Sequence, residues 1–467
     1  MPSKVRTTRS RTAGAPDEQR AARRKRDRAQ QRVAIALAMV DAVAVKGYRE
    51  TTVADVIERA QLSRKTFYEH FSNKEDCFLQ TYDEISSRAV RRMELAHQEA
   101  RGWQDRVEAP IGALFDAAIE NPGAARLMLL EINALGPAGI RRRTRSADHY
   151  ERFIRDALEL APGSGSVSEP VVKAVAGGLQ RVLCRRIMRG ERGELLALIP
   201  DLAKWAMSYY PTPSRVLAEK LGSGPTPPVA AGGRAPGTLA PHPTLTNRRG
   251  LPGGDQNVSR SFVVHSQRER ILDAATNLTA TNGYIELKVE DIAEQAAVSL
   301  NAFYEHFADK EDAFLVAYEV GHAKALATTE RAFAAAGDWQ HGVRAGIAAL
   351  FDFLAAEPSF AHIALVDALV ATELTAERSN VGVDALAKML VPGLEEAPAQ
   401  TPRAPVTIEA IAGGIFELCL DYAFESRIAR LPELTPSATY IALAPFLGGS
   451  KAARIALPAR RRRNPLD

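Results

Sequence analysis

The sequence predicts an all-α protein built from two copies of one repeat. Apolar residues recur with helical spacing through most of the chain, whereas strand-like alternation is sparse. Short blocks of sequence recur at one constant spacing, which indicates an internal duplication. A segment rich in Pro and Gly separates the two copies. The 467 residues are enough for two to four domains, each with a sizeable core.

The duplication is read from blocks that recur 236 residues further along the chain. They include Phe67-Tyr68-Glu69-His70-Phe71 at 303–307, Leu114-Phe115-Asp116 at 350–352, and Ala176-Gly177-Gly178 at 412–414. An offset kept over most of a repeat predicts duplication with balanced or no insertions.

Charge and composition set the expected domain boundaries. Residues 1–30 contain ten Lys and Arg against three acids, although the net charge of the chain is only +4. Such a run predicts a basic arm that contacts phosphates, or equally a solubilising tail. The expected domains are a basic disordered arm at 1–28, a first head at 29–89, a helical region at 90–211, a Pro/Gly-rich linker at 212–262, a second head at 265–325, a helical region at 326–450 and a basic tail at 451–467.

Each head is predicted to hold a helix-turn-helix motif, at about 52–71 and 288–307. In the first head, Gly47 is expected to end the first helix, and Thr52 to cap a second helix over 53–60. After a tight turn, Ser63 is expected to cap a third helix that runs to about Phe71. The second helix of such a motif fits the major groove of DNA while the first braces it against the backbone.

Both heads resemble the N-terminal domain of the TetR-type repressors. The resemblance is carried by Gly47-Tyr48, by 51–57 (TTVADVI), by 62–71 (LSRKTFYEHF) and by Asn73-Lys74-Glu75, and it recurs over 283–311. It implies DNA binding by both heads, with the helical regions serving in ligand binding and dimerisation. Family members generally act as homodimers on palindromic operators.

The resemblance also implies a set of DNA-contacting residues. In the first head they are Thr51, Thr52, Ser63, Arg64, Lys65, Thr66, Tyr68, His70 and Lys74; in the second they are Lys288, Ser299, Asn301, Tyr304, His306 and Lys310. Arg64 is the best candidate to read a base, because arginine can grip guanine with two hydrogen bonds. Alternatively, Tyr68 packs under the first helix, His70 caps a turn, and Lys74 is merely solvated.

The second head departs from the pattern at its recognition helix. Arg64-Lys65-Thr66 becomes Leu300-Asn301-Ala302, and the capping Thr52 becomes Lys288. Asn301 can pair with adenine, while the apolar neighbours can touch a thymine methyl group. The second head is therefore expected to bind DNA more weakly, or to read a different half-site.

Two carboxylates and two glycine pairs stand out in the helical regions. Glu131 and Asp367 occupy equivalent places in apolar stretches, where each can meet a ligand or pair with a neighbouring basic side chain. Gly177-Gly178 and Gly413-Gly414 fall in mid-helix, where glycine is costly, so close packing of helices at a dimer-like interface is expected.

The sequence thus predicts a ligand-responsive repressor with two DNA-binding heads. The expected partners are a double-stranded DNA operator, a small-molecule effector, and either the other repeat in an intramolecular pseudo-dimer or a second chain in a homodimer. The alternative is a regulator in which only the first head binds DNA and the second repeat mediates protein–protein contact. No catalytic group, metal site or cofactor is expected, nor a membrane span or signal peptide, and three scattered cysteines fit the cytoplasm.

Overall fold

The computed structural model describes residues 15–161, 167–210, 221, 260–369, 373–396 and 404–457. Within these ranges the chain forms nineteen α-helices and no strand, which confirms the all-α prediction. The predicted linker lies almost entirely outside the described residues, as do residues 1–14 and 458–467 at the two ends.

The first head is a three-helix unit followed by a longer helix. Its elements are α1 (Ala15–Glu50), α2 (Val53–Ala60), α3 (Arg64–His70) and α4 (Lys74–Glu99). Gly47 interrupts α1 with a φ of 73°, and Gln61 makes the turn between α2 and α3 with a φ of 52°. The spans of α2 and α3 confirm the predicted helix-turn-helix.

The rest of the first repeat is a helical bundle, which we call the first bundle (residues 86–210). After α4 it contains α5 (Trp103–Glu120), α6 (Pro122–Leu129), α7 (Pro137–Glu159), α8 (Glu169–Met188) and α9 (Leu195–Met207). Proline occupies the first turn of α6, α7 and α8, where its missing N–H has no partner to lose.

The second repeat follows the same order. Its head contains α10 (Arg260–Asn282), α11 (Val289–Ala296), α12 (Leu300–His306) and the start of α13 (Lys310–Ala334). The second bundle (residues 326–457) continues with α14 (Trp339–Ala356), α15 (Pro358–Leu365), α16 (Glu373–Glu396), α17 (Pro405–Phe424), α18 (Thr435–Leu447) and α19 (Gly449–Ala456). Helices α8 and α17 begin 236 residues apart, as the duplication predicts.

The chain divides into two compact units, Met1–Ile85 and Ser86–Asp467. The second unit therefore contains both bundles together with the second head. In that head α10 packs against α15, and Ile363 belongs to the same apolar cluster as Phe303 and Phe314 of the head. The core of the second head is thus continuous with its bundle.

Within the second unit, α8 of the first bundle packs along α17 of the second bundle. The glycine pairs lie at this crossing and are buried. A Cβ atom at Gly178 would lie 3.1 Å from the carbonyl carbon of Ala410, and one at Gly414 would lie 2.9 Å from that of Ala174. These distances confirm that the glycines permit close helix packing, here between the two bundles of one chain.

Four expected boundaries differ from the structure. Helix α1 begins at Ala15, so the prediction of disorder was wrong for 15–28; that segment is rich in Ala, Arg, Lys and Gln, all good helix formers. Helices α4 and α13 continue through the boundaries expected at 89/90 and 325/326. Helix α19 extends to Ala456, inside the expected tail.

Among the described residues, no single helix is long and apolar enough to cross a membrane. One pair, α14 with α15, meets the length and composition together but bends by 109° between its members. Val343, Ile347 and Phe351 of α14 are fully buried in the core that the two bundles share.

Candidate nucleic-acid interface

Helix α2 of the first head is fixed at its start by a reciprocal cap. The Thr52 hydroxyl accepts a hydrogen bond from Asp55 N at 3.2 Å, and Thr52 N donates to the Asp55 carboxylate at 2.8 Å. Lys46 Nζ also donates to that carboxylate, at 2.5 Å. These hydrogen bonds hold the pKa of Asp55 well below its usual range. The predicted capping box is therefore confirmed.

Helix α3 presents its polar side chains from a buried anchor. Phe67 is fully buried, whereas Arg64, Lys65 and Tyr68 are exposed. The Ser63 hydroxyl accepts from Thr66 N at 3.0 Å, which caps the helix as predicted. Arg64, Lys65 and Tyr68 thus share one exposed face of α3.

Tyr68 does not pack under the first helix, since 47% of it is exposed. Its ring meets Phe67 edge-on at 5.3 Å between centroids, and the Arg64 guanidinium lies 5.8 Å from its centroid. The ring is therefore supported by Phe67 while about half of the residue remains exposed.

His70 is held from α1. Its Nε2 lies 3.1 Å from Gln31 Oε1, and the pKa of its ring is lowered, first by burial and then by the charge of Arg28. His306 repeats the arrangement with Gln267 at 3.5 Å. A neutral imidazole offers one N–H donor, so a phosphate contact by His70 competes with its bond to Gln31.

Lys74 and its counterpart Lys310 tie the start of one helix to the end of an earlier one. Lys74 Nζ donates to the backbone oxygens of Tyr48 at 3.0 Å and Arg49 at 3.3 Å, and burial lowers its pKa. Lys310 donates to Leu287 O at 2.9 Å. Both ammonium groups thus donate hydrogen bonds to backbone oxygens of their own head, a role that the sequence did not suggest.

Thr51 is buried in the first head. It is 1% exposed, and its hydroxyl donates to Gly47 O at 2.7 Å, which caps the end of the first helix. The Thr51 side chain thus packs within the head, and a contact of this side chain with DNA would compete with its bond to Gly47 O. Its counterpart Leu287 is also buried, so the position belongs to the core of both heads.

The second head has the same cap and buried anchor on its recognition helix as the first head, but different exposed side chains. Ser299 caps α12 by accepting from Ala302 N at 3.1 Å, and Phe303 is fully buried. Leu300, Asn301 and Tyr304 are exposed where the first head has Arg64, Lys65 and Tyr68. At the start of α11 Lys288 makes no side-chain cap, which confirms the loss predicted from the sequence.

Arginines on the first helix of each head were not singled out among the DNA-contacting residues, although Arg28 belongs to the basic run at 1–30. Arg28 donates to Glu69 O at 3.2 Å, and Arg32 lies 5.9 Å from the Phe71 ring centroid. Arg268 repeats the second contact with Phe307 at 5.4 Å. They bring positive charge beside the recognition helix. Extending the helical spacing of α1 backward through the basic run would have found them.

The two carboxylates of the helical regions have basic partners within their own bundles. Glu131 pairs with Arg126 at 3.0 Å, and Asp367 pairs with His362 at 2.9 Å. The two pairs occupy equivalent positions of the duplication. The structure thus gives Glu131 an ion pair with Arg126 and Asp367 a hydrogen-bonding contact with His362, the kind of role that competed with ligand contact. Among the described residues, no group of three or more His, Cys, Asp or Glu is arranged to hold a metal.

Comparison with known proteins gives the class of these heads. The family model described as "Bacterial regulatory proteins, tetR family" matches residues 40–81 and 271–317, one segment in each head. Both heads thus match the TetR-type helix-turn-helix domain, which the chain carries in tandem, and this supports a role in transcription regulation. No curated protein matches the chain.

Solved structures similar to part of the chain are themselves regulators. The fatty acid degradation regulator FadR from Bacillus halodurans aligns with 18% identity and a TM-score of 0.36, over 38% of this chain and 94% of its own. FadR from Bacillus subtilis, solved with stearoyl-CoA, aligns with 19% identity and a TM-score of 0.35, over 38% and 97%. A TetR family regulator from Marinobacter aquaeolei VT8 aligns with 20% identity and a TM-score of 0.33, over 38% and 96%.

Proposed function

We propose that this regulator is a ligand-responsive repressor whose two heads read two different DNA half-sites. The proposal rests on one observation: the two heads share the same buried core positions but expose different side chains on their recognition helices. Phe67 and Phe303 are buried alike, while Arg64-Lys65 on α3 faces outward where α12 has Leu300-Asn301. Residues that reach base edges set specificity, so the two heads differ in what they select.

In the first head, Arg64 is proposed to read a guanine, and Lys65, Ser63, Thr66, Tyr68 and His70 to contact the phosphate backbone. In the second, Asn301 is proposed to read an adenine, with Ser299, Tyr304, His306 and Lys288 on the backbone. Thr52 and the lysines Lys74 and Lys310 position these residues through the caps and carbonyl contacts described above, and they remain candidates for phosphate contact.

We further propose that the two bundles pair within one chain. This intramolecular pseudo-dimer would replace the homodimer of two chains that is usual in the family. The support is the close crossing of α8 with α17, with Tyr209 of the first bundle donating to Ile441 O of the second at 3.0 Å. Sedimentation at low micromolar concentration tests it. A species of 50.7 kDa agrees with the pseudo-dimer, and a stable species of twice that mass contradicts it.

Selection of bound sequences from a random DNA pool tests the two-head function. We expect an asymmetric site with two unlike halves. Recovery of a symmetric palindrome would contradict the different reading of the two heads. Recovery of a single half-site would favour the other candidate, in which the second repeat mediates protein–protein contact; exposed Leu300 and the uncapped α11 favour that candidate.

The proposed effector is a small molecule that binds a bundle and changes the separation of the heads. A ligand that binds Glu131 or Asp367 would compete with the contacts of these carboxylates to Arg126 and His362. Glu131→Gln and Asp367→Asn test this role. If the response of DNA binding to a ligand found by screening stays the same in both variants, the carboxylates serve structure alone.

A further inference from the structure

The helices that join the two bundles carry opposite charges at equivalent positions. Lys173, Arg181 and Arg185 lie on α8 of the first bundle. Their counterparts 236 residues later, on α17 of the second bundle, are Glu409, Glu417 and Asp421. At each of these three equivalent positions, the first bundle has a cation and the second bundle has an acid.

These charges meet across the interface with a pseudo-two-fold arrangement. Lys173 Nζ lies 3.1 Å from Asp421, and the equivalent pair, Arg185 with Glu409, is at 3.6 Å. Each pair turns into the other when the two bundles are exchanged. The glycine contacts obey the same rule, because Gly177 faces Glu417 and Gly413 faces Arg181.

Further ion pairs keep the same polarity. Arg186 binds the Glu409 carboxylate with two nitrogens, at 2.9 and 3.1 Å, and Arg185 reaches Asp384 at 2.8 Å. Arg143 of the first bundle also pairs with Glu417. In each of these five ion pairs, the cation comes from the first bundle and the acid from the second.

The consequences for the wrong pairing follow from the pseudo-symmetry. If the first bundle paired with a second copy of itself, Lys173 would face Arg185, Arg186 would face Lys173, and Arg143 would face Arg181. Across such an interface, only Arg185 would still meet an acid, Asp148, the counterpart of Asp384. If the second bundle paired with itself, Glu409 and Asp384 would each face Asp421.

We propose that these charges select the pairing of the first bundle with the second and reject the pairing of either bundle with its own kind. Like charges set directly against each other at an interface cost several kcal/mol. Homotypic pairing is therefore expected to be weaker than heterotypic pairing by roughly a hundredfold or more. The inference concerns assembly alone and holds whether or not both heads bind DNA.

The test uses the full chain with the charges of one bundle reversed. The first-bundle reversal is Lys173→Glu, Arg185→Glu and Arg186→Glu. The second-bundle reversal is Asp384→Lys, Glu409→Lys and Asp421→Lys. A control reversal of equal charge, Arg189→Glu, Arg192→Glu and Lys204→Glu, falls on exposed positions of the first bundle.

Each reversal alone should separate the bundles, which is read as a lower melting temperature and a more extended monomer in sedimentation. The control reversal should do neither. The two reversals combined in one chain restore opposite charges at all four contacts, so that chain should regain a compact monomer with a melting temperature near that of wild type.

Mixing the two single reversals is the sharpest measurement. The first-bundle reversal has acids on both bundles and the second-bundle reversal has cations on both, so each chain can satisfy its interfaces only with the other. Native mass spectrometry should show a 1:1 complex of twice the chain mass, which neither variant forms alone.

Three results would overturn the proposal. In the first, either single reversal stays as compact and stable as the control. In the second, the combined chain fails to regain a compact fold, so that the charges are not interchangeable. In the third, the mixture contains no complex of the two chains, or one variant dimerises with itself as readily as with its complement.

Discussion

Replacing Gly178 with alanine should destabilise the unit that contains both bundles. The added Cβ atom would lie 2.5 Å from Trp205 Cη2 and 3.1 Å from the carbonyl carbon of Ala410. Ordinary van der Waals contact for such an atom begins at 3.4 Å. Neither neighbour can move away cheaply, because one is the backbone of α17 and the other a fully buried indole.

The size of the effect is the difference between two opposing contributions. Alanine in mid-helix is favoured over glycine by about 1 kcal/mol. Overpacking of a close-packed interior costs about 1–3 kcal/mol, and a clash with backbone falls in the upper part of that range. We therefore expect the free energy of unfolding to fall by about 1–2 kcal/mol. Gly414→Ala, the pseudo-symmetric change, should act alike.

Combining the two substitutions gives a second expectation from the same geometry. The contacts of the two Cβ atoms with the backbones of Ala410 and Ala174 would both be relieved by one movement of α8 away from α17. The double variant should therefore lose less stability than the sum of the single losses, as expected for coupled sites.

Urea denaturation measures these effects through a lower transition midpoint with an unchanged slope. Gly193→Ala is the matched control, because no atom lies within 4 Å of the Cβ position there and its φ is ordinary. It should be neutral or stabilising by up to about 1 kcal/mol. If Gly178→Ala proved as stable as that control, the close crossing of α8 and α17 would be the wrong account of these glycines.

Three further changes test the heads and the interface. Arg64→Ala should weaken DNA binding by about 1–3 kcal/mol and relax the sequence preference at one base position, as measured by binding to variant operators. The control is Arg59→Ala, which changes a neighbouring arginine on α2. An unchanged sequence preference in Arg64→Ala contradicts base reading by Arg64. Lys74→Ala should lower the stability of the first head by about 1–2 kcal/mol, because it removes the hydrogen bonds from the Lys74 ammonium to Tyr48 O and Arg49 O. If Lys74 also contacts a phosphate, the same variant should lower the salt slope of DNA binding by about one unit. An unchanged slope would exclude that contact. Burial raises the pKa of Glu151 to about 7, above its value of 4.5 in the unfolded chain. The folded state therefore binds more protons between these values, and stability should fall as pH rises from about 4.5 through 7; Glu151→Gln should flatten that part of the profile, and an unchanged profile contradicts burial of this carboxyl.

The sequence was sufficient for features fixed by local chemistry. Thr52, Ser63 and Gly47 act over three or four residues, so their spacing alone predicts where α2 and α3 begin and where α1 is interrupted. The glycine pairs were also interpretable, because glycine in mid-helix needs a close neighbour to explain it.

Features that depend on tertiary placement could not be predicted in this way. Thr51 and Thr52 are adjacent hydroxyl residues, but one is buried against Gly47 O while the other caps a helix at the surface. Lys74 reaches backbone oxygens 25 and 26 residues earlier, a contact that no local pattern records. For the basic run at 15–28, high charge outweighed helix propensity in the prediction, and the structure reverses that order.

The opposite charges at equivalent positions of α8 and α17 bear on why the repeats share one chain. In a symmetric dimer the same surface patch meets itself, so residues close to the axis must tolerate their own copies. Arg181 and Glu417 occupy equivalent positions close to such an axis, each against a glycine of the other bundle. A dimer of identical chains would bring two arginines or two glutamates there, whereas two unlike copies can bring one of each. The same freedom extends to Arg64 and Leu300 on the recognition helices, where a homodimer would have to repeat one reading face. Tethering both copies in one chain also raises their effective concentration for each other, so heterotypic pairing needs no second chain.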